Sequence, residues 1–257
     1  MVKILIFVAL ATAAAAQKPL PNAHAHNDYE HERPLFDALD HGFCSVEADI
    51  YLVDGELLVA HDRKDLKPER TLQKLYLDPL LERVKANGGQ VHREKKTDFI
   101  LLIDIKSEGE ATYSALSKVL ANYEEMLTTN RDGKHTKRAV TAVISGNRAK
   151  DVIAADNPRF AGIDGRLSDL DSEHASQLQP LISDRWTSHF KWRGEGEMPA
   201  NEREKLRDIV KKTHAANKRV RFWATPEKES VWRELRDAKV DLINTDELAK
   251  LRDFLLR

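Results

Sequence analysis

Residues 24–62 of this 257-residue chain read HAHNDYEHERPLFDALDHGFCSVEADIYLVDGELLVAHD, and most of the side chains suited to catalysis lie within them. The segment Ser45–Leu52 (SVEADIYL) predicts a β-strand. Because alternate side chains of a strand share one face, Glu47 and Asp49 are expected side by side, one step apart. Two neighbouring carboxylates favour a bound cation.

Histidines and turn signals flank this strand on both sides. The helix-like run Pro34–His41 precedes it, and Asp54-Gly55 follows it as a tight-turn signal between apolar runs. His24 and His26 come before the strand, and His61 comes after it. Two histidine-bearing segments around an acidic pair are typical of metal-assisted acid–base chemistry.

The rest of the chain alternates predicted strands with predicted helices. Phe99–Ile105 (FILLIDI) is a nearly continuous apolar run, which is typical of a strand covered on both faces. Between the helices, the segment 128–138 (TTNRDGKHTKR) is rich in turn residues. The predicted strands are 21–25, 45–52, 99–105, 139–144, 160–163, 180–183, 220–224 and 241–243. The predicted helices are 70–86, 111–126, 148–155, 201–216, 229–238 and 248–256.

About eight strands separated by helical segments predict a single α/β domain, a (β/α)8 barrel of the TIM type, because repeated right-handed crossovers close a parallel sheet. The alternative is an open doubly wound sheet, but the chain has no Gly-rich nucleotide-binding motif to support it.

The first 16 residues predict a cleaved secretory signal peptide. They combine one lysine, an apolar run from Ile4, and the small residues Ala14-Ala15-Ala16 before Gln17. The alternatives are a buried N-terminal helix or a membrane anchor. We therefore expect a periplasmic or secreted protein formed by residues 17–257, with no stable membrane anchor after cleavage.

Charge and cysteine content exclude some classes of protein. Charged residues make up 32% of the chain but nearly cancel to a net charge of −1, so no basic surface for nucleic acid is expected. Cys44 is the only cysteine, which excludes an internal disulfide. Its position beside an apolar strand indicates a buried structural thiol. Composition does not determine the oligomeric state.

In a barrel of this type, functional side chains collect at the C-terminal ends of the strands. Asp104 and Lys106 end the third predicted strand, and Trp223 ends the seventh. An acid after so apolar a run is costly to bury without a partner, and a divalent ion held also by Glu47 and Asp49 supplies one. Three carboxylates without thiolates favour one hard cation, Mg²⁺ or Ca²⁺.

Each of these residues also has an ordinary structural interpretation. The acids could form salt bridges or face solvent, and the histidines could be hydrogen-bonded structural residues. Lys106 could pair with Glu108 rather than with a phosphate oxygen, and Trp223 could pack in the core. The role of His24 stays open between support for the site and support for the first strand.

Three motifs together resemble a known group of enzymes. They are HNDYEHERPLFDAL at 26–39, SVEADIYLVDGELLVAH at 45–61, and RFWATPE at 221–227 followed by VWREL. In combination they resemble the phosphatidylinositol-phospholipase-C-like phosphodiesterase superfamily, which includes glycerophosphodiester phosphodiesterases and sphingomyelinase D enzymes. The nearest resemblance is to the family of altered inheritance of mitochondria protein 6, and it extends from about His24 to the C-terminus.

This resemblance implies roles for individual residues. His26 would be the first catalytic histidine and His61 the second. Trp223 would line the substrate pocket. We also expect Asn27 and Lys106 to contact substrate, Lys106 because it lies two residues after Asp104 on the same side of an extended chain. The implied metal ligands are Glu47, Asp49 and Asp104. Many glycerophosphodiesterases carry Glu where this chain has Asp104, and the Asp-x-Lys arrangement is similar to the sphingomyelinase D branch.

The resulting functional expectation is a secreted, metal-dependent phosphodiesterase that uses two histidines as acid and base. Its substrate would be a small phosphodiester or a lysophospholipid-like molecule, attacked by water or by a neighbouring hydroxyl of the substrate. Two alternatives stay open, a metal-dependent amidohydrolase suggested by the pair His24 and His26, and a catalytically silent binding barrel.

Overall fold

A computed structural model describes residues 18–94, 96–172 and 174–257. The predicted signal peptide lies outside the described residues and stays a prediction. The strands in the described part are β1 (Leu20–Ala25), β2 (Phe43–Val53), β3 (Glu56–Val59), β4 (Phe99–Ile105), β5 (Thr129–Arg131), β6 (Lys134–Thr136), β7 (Val140–Gly146), β8 (Ala161–Gly165), β9 (Leu181–Arg185), β10 (Arg219–Trp223) and β11 (Leu242–Thr245).

Eight of the described strands form a closed parallel barrel in the order β1, β2, β4, β7, β8, β9, β10 and β11. The sheet closes into a barrel because β1 is hydrogen-bonded to β2 on one side and to β11 on the other. The predicted TIM-type barrel is therefore confirmed. The predicted boundaries of all eight strands agree with the observed ones to within two residues.

Helices cover the outside of the barrel. For example, α8 contacts β1 and α3 contacts β2. The helices in the described ranges are α1 (Phe36–Asp40), α2 (Asp78–Ala86), α3 (Gly109–Ala121), α4 (Lys150–Ala155), α5 (Trp186–His189), α6 (Ala200–Ala215), α7 (Glu229–Asp237) and α8 (Leu248–Leu255). None of these helices is long and apolar enough to cross a bilayer.

Local sequence explains two departures from the predicted elements. The helix predicted from residue 70 instead begins with a π-helical turn, Gln73–Leu77, before α2. Pro79 lacks the N–H group that would bond to the Leu75 carbonyl, so regular helical bonding cannot run through this point. The turn-rich segment 128–138 contains a small hairpin, in which β5 pairs with β6 across Asp132-Gly133.

Strand β4 is buried along nearly its whole length, as its apolar run predicted. The first six residues of β4 include five buried apolar side chains, and the residue that breaks this series is Asp104. Cys44 on β2 is also buried, and burial raises the pKa of its thiol to about 12. This agrees with the expectation of a structural, unreactive cysteine.

The loop between β1 and α1 depends on the buried carboxylate of Asp28. Its Oδ2 accepts hydrogen bonds from Leu35 N–H (2.6 Å) and from Tyr76 O–H (2.9 Å), while its Oδ1 has no hydrogen-bond partner in the described structure. Burial raises the pKa of Asp28 to about 7, against the opposing effect of these two hydrogen bonds. Asp28 thus links the loop that follows His26 to the helical turn 73–77.

We expect the contribution of Asp28 to stability to fall as the pH rises. Its folded pKa of about 7 lies above its usual value of 3.8, so between these values the folded state holds a proton that the unfolded state has lost. The contribution is complete below about pH 4 and is lost as the pH passes through 7. The total loss in unfolding free energy is at most about 4 kcal/mol. Urea unfolding of the wild type and of Asp28→Asn measures the effect.

Asn does not titrate, so the difference in unfolding free energy between the two proteins isolates the carboxyl group. The wild type should therefore lose stability relative to Asp28→Asn as the pH rises from about 4.5 to 8. A difference that is constant over this interval would show that Asp28 does not carry the proton.

Candidate active site

The three candidate acids meet inside the barrel, near the C-terminal ends of β2 and β4. Asp49 and Asp104 are direct neighbours in the register of this parallel pair, and Glu47 lies two residues before Asp49 on the same face. One carboxylate oxygen of each residue lies within 4.8 Å of the other two. Glu47 and Asp49 are buried, and Asp104 is half-buried. The fold thus brings together acids from two separate segments of sequence.

Glu47 is ionised because an arginine from another strand reaches it through the barrel interior. Arg221 Nη2 on β10 donates to Glu47 Oε2 at 2.6 Å, and His24 Nε2 donates to the same oxygen at 3.2 Å. Burial alone would raise the pKa of Glu47, but Arg221 and His24 together hold it well below its usual range. Arg221 also donates to Asn244 Oδ1 at 2.9 Å, which fixes the guanidinium between β10 and β11.

His24 is a neutral, fully buried support for Glu47. Burial first, and then the nearby Arg221, lower the pKa of His24 to about 3. Because the carboxylate can only accept, His24 Nε2 carries the proton, and Nδ1 accepts a hydrogen bond from the Ser45 hydroxyl at 2.7 Å. Both ring nitrogens are therefore occupied.

Lys106 lies beside the other two acids. Its Nζ is 3.0 Å from Asp49 Oδ2 and 3.3 Å from Asp104 Oδ1. Burial would lower the pKa of Lys106, but Asp104 and Asp49 outweigh this effect and raise it. The alternative partner, Glu108, instead accepts hydrogen bonds from backbone N–H groups in the first turn of α3.

Asp49 and Asp104 have less compensating charge than Glu47. Burial, followed by the charge of Glu47, raises the pKa of Asp49. Burial raises the pKa of Asp104 to about 6, with Lys106 opposing and the two other acids adding to the effect. Asp49 Oδ1 is buried and has no hydrogen-bond partner among the described residues. This all-oxygen donor set fits a hard divalent cation such as Mg²⁺ or Ca²⁺.

A glycine leaves room for the Asp104 carboxylate. Gly146 ends β7 with φ +67°, and a Cβ atom built on it would overlap both Asp104 Oδ1 and the Ile105 carbonyl oxygen. A larger residue would therefore be strained and would displace the acid.

Each of the two candidate catalytic histidines is held in position through its own Nδ1 atom. His26 Nδ1 donates to Asp246 Oδ1 at 2.8 Å, and this hydrogen bond raises the pKa of His26 even though burial acts to lower it. His61 Nδ1 lies 3.1 Å from Tyr29 Oη and 3.3 Å from Asp49 Oδ2. Neither Nε2 atom forms a hydrogen bond within the described part of the chain. The side chains are 25% and 56% exposed, so both can present Nε2 to a bound molecule.

Tyr29 connects three of the candidate residues. Its hydroxyl lies 2.6 Å from Asp49 Oδ2, 2.8 Å from Asn27 Oδ1 and 3.1 Å from His61 Nδ1. Burial and the charge of Asp49 raise its pKa, so the hydroxyl keeps its single proton and donates it most favourably to the carboxylate. His61 then donates Nδ1–H to the tyrosine oxygen, which leaves its Nε2 as an acceptor. Asn27, expected to contact substrate, lies at the edge of this network.

Trp223 is only partly buried at the C-terminal end of β10, so it is not a core tryptophan. The guanidinium carbon of Arg166 lies 4.8 Å from the centre of its ring. Arg166 follows β8 and donates to Asp164 Oδ2 at 2.8 Å. Asp164 is fully buried inside the barrel. The structure places Trp223 at the same end of the barrel as the three acids.

Sequence reasoning did not identify several of these residues. Arg221 carried the clearest signal, because it interrupts the apolar strand RVRFW two residues before Trp223 and needs a buried partner just as Asp104 does. Tyr29 lies within the HNDY motif, but its position gave no indication of its contacts. Arg148 and Arg166 lie near predicted strand ends, and Asp246 lies at the end of the eighth predicted strand, but the sequence gave no reason to assign a role to any of the three.

Two family models match this chain, one in its N-terminal half and one near its C-terminus. A model described as the AIM6-like phosphodiesterase domain matches residues 14–161, and a model of the glycerophosphoryl diester phosphodiesterase family matches residues 219–249. Altered inheritance of mitochondria protein 6 of Eremothecium gossypii is 30% identical over 89% of this chain and 68% of that protein. A homolog from Arthroderma benhamiae is 29% identical over 86% of this chain and 80% of its own length.

Solved structures share the barrel. A glycerophosphodiester phosphodiesterase from Parabacteroides distasonis has a TM-score of 0.55 at 18% identity, covering 93% of this chain and 98% of that chain. A second one, from Agrobacterium tumefaciens, has a TM-score of 0.52 at 14% identity, covering 93% of this chain and all of that chain. At these identities the likeness establishes the fold. Together with the family models, it confirms the resemblance to the phospholipase-C-like phosphodiesterase superfamily.

The close approach of Gly146 to Asp104 can be tested by substitution. We expect Gly146→Ala to lower the unfolding free energy by about 2–4 kcal/mol, since backbone strain and the overlap with Asp104 both contribute. Gly133→Ala is the matched control, because Gly133 also has positive φ but a Cβ there meets no atom within 4 Å. The control should cost only about 1–2 kcal/mol. Equal losses in denaturant unfolding would mean that Gly146 does not make room for the acid.

Proposed function

Because the chain belongs to the family of AIM6-like phosphodiesterase domains, we propose that it is a metal-dependent phosphodiesterase that cleaves a small phosphodiester by two-histidine acid–base catalysis. The observation that carries this proposal is the arrangement at one end of the barrel. Three carboxylates that fit a hard cation lie beside two histidines whose Nε2 atoms are unbonded within the described structure. The proposed substrate is a glycerophosphodiester or a phospholipid-headgroup diester, including lysophospholipid-like molecules.

Glu47, Asp49 and Asp104 would hold one divalent cation, Mg²⁺ or Ca²⁺. When bound, this cation would screen the phosphate charge and polarise a nonbridging oxygen. Lys106 extends into the same space and supplies a further positive charge for a phosphate oxygen.

The two histidines would divide the proton transfers. We assign His61 as the base, because its Nδ1–H is held by Tyr29 and its Nε2 is left as an acceptor for the proton of water or of a substrate hydroxyl. We assign His26 as the acid, because Asp246 stabilises its protonated form and the proton on Nε2 can pass to the departing alkoxide oxygen. Attack on phosphorus forms one P–O bond and breaks the bond to the leaving alcohol.

The structure argues against the amidohydrolase alternative. A metal bound by the pair His24 and His26 would need a free nitrogen on each ring. Both nitrogens of His24 are occupied by hydrogen bonds to Ser45 and Glu47. The strands β7, β8 and β9 end in residues other than histidine.

We expect calorimetry to detect one Mg²⁺ or Ca²⁺ bound by the wild type and to show its affinity lowered more than about 100-fold in Asp49→Asn. Loss of a direct ligand should exceed the 10- to 100-fold effect typical of outer contacts. Glu82→Gln, which removes an exposed acid on α2, should bind normally. Wild-type affinity in Asp49→Asn would remove the proposed metal site.

Turnover of a phosphodiester panel with Mg²⁺ or Ca²⁺, followed by phosphorus NMR of the products, tests the proposed activity. On an alkyl diester we expect His26→Ala and His61→Ala each to lower kcat by on the order of 10² to 10⁴. On a nitrophenyl diester, whose leaving group departs without a proton, the effect of His26→Ala should become small while that of His61→Ala remains.

His135→Ala is the control for these variants, because His135 lies on the β5–β6 hairpin, away from the acids. Its activity and melting temperature should match the wild type. The assignment of acid and base is reversed if His61→Ala, and not His26→Ala, recovers its activity on the nitrophenyl diester. The acid–base mechanism fails if both histidine variants keep full activity on both substrates.

A further inference from the structure

The aromatic ring at the substrate end of the barrel already holds a cation. Arg166 lies over the Trp223 ring at 4.8 Å, the geometry in which an indole face attracts a positive charge. Indole faces are also the surfaces that bind quaternary ammonium groups. A choline-type headgroup would therefore find this indole face already occupied by a guanidinium.

Arg166 cannot easily leave this position. Its Nη1 donates to Asp164 Oδ2 at 2.8 Å and to the Gly165 carbonyl at 3.1 Å. Asp164 is fully buried, and it also accepts hydrogen bonds from the hydroxyl groups of Ser145 and Ser183. Releasing Arg166 would leave a buried carboxylate without its counter-charge. The charges of Arg166 and Asp164 therefore balance each other.

Arg148 adds a positive charge that has no carboxylate partner in the described structure. It lies in the loop after β7, and its Nη1 donates to the backbone carbonyl of Asp164. Burial first, and then Arg166, lower the pKa of Arg148, while Asp164, Asp169 and Asp104 act to raise it. The nearby Asp169 is not a partner, because its Oδ2 pairs with Lys150 Nζ at 2.9 Å.

Among the charged groups described above, Arg148 is left without a counter-charge. A divalent cation, Lys106 and Arg221 together exceed the charge of the three acids by one, and the single negative charge of a phosphodiester would neutralise that excess. Arg166 is already balanced by Asp164. The positive charge of Arg148 would then require an additional anion.

Building on the proposed function, we infer that the preferred substrate is a phosphodiester whose headgroup carries a second negative charge, which Arg148 binds beside Trp223. A neutral headgroup would be cleaved less efficiently. A headgroup with a quaternary ammonium ion would be the poorest substrate, because the uncompensated charge of Arg148 repels it.

Two matched pairs of substrates test this inference through kcat/KM. The first pair is glycerophosphoinositol 4-phosphate and glycerophosphoinositol, which differ by an anionic group. The second is glycerophosphocholine and its uncharged 3,3-dimethylbutyl isostere, which differ by a positive charge. We expect the phosphorylated member to be preferred, and the choline member to be disfavoured, each by on the order of tenfold.

Variants of Arg148 identify the residue responsible. Arg148→Gln, which keeps a donor for the Asp164 carbonyl, should bring both ratios toward one, while Arg148→Lys should retain most of the preference. Arg131→Gln is the control, because Arg131 lies on the distant β5–β6 hairpin and pairs with Glu124, and this variant should leave both ratios unchanged. Melting temperatures show whether any variant fails to fold.

The inference is overturned if the choline diester is cleaved as efficiently as its isostere, or if Arg148→Gln retains both wild-type ratios. These outcomes differ from failure of the proposed function itself, in which no diester of either pair would be turned over with Mg²⁺ or Ca²⁺.

Discussion

The buried ion pair between Arg221 and Glu47 is the interaction on which the candidate site depends. It joins β10 to β2 across the interior of the barrel, and both side chains are almost entirely inaccessible to solvent. Breaking a buried pair by removing one partner typically costs about 3–5 kcal/mol, because the other charge is left without compensation. This pair keeps Glu47 ionised next to two further acids, and its position is possible only because the sheet closes on itself.

The charges at the C-terminal end of the barrel divide into two groups. On the side of β2 and β4, three carboxylates converge and have a single lysine between two of them. On the side of β7 to β10, Arg148 lies near Arg166, and Asp164 is the buried acid that balances Arg166. A phosphodiester bound between these groups would place its phosphate toward the acids and their cation, and its headgroup toward Trp223 and Arg148. The asymmetry therefore connects the proposed chemistry to the proposed choice of substrate.

Much of the fold could be predicted because periodicity is a local property of the sequence. The continuous apolar run of β4 and the short apolar segments that follow it predicted the strand positions, and their alternation with helices predicted the barrel. The details that were missed depend on backbone bonding. The π-helical turn at 73–77 and the hairpin of β5 and β6 arise from hydrogen bonds that the periodicity of side chains does not report.

The sequence by itself determined which acids share a face, which histidines lie beside them, and which strand ends bring them together. These conclusions rest on the two-residue period of a strand and on the rule that barrel strands end at one face. Only the tertiary structure decided the partners, because His26 pairs with Asp246 across 220 positions and Glu47 pairs with Arg221 across 174. Period and spacing predict the direction of a side chain but not the distant residue that it meets. The balance of charge around each group, and hence its protonation, is set by those distant residues.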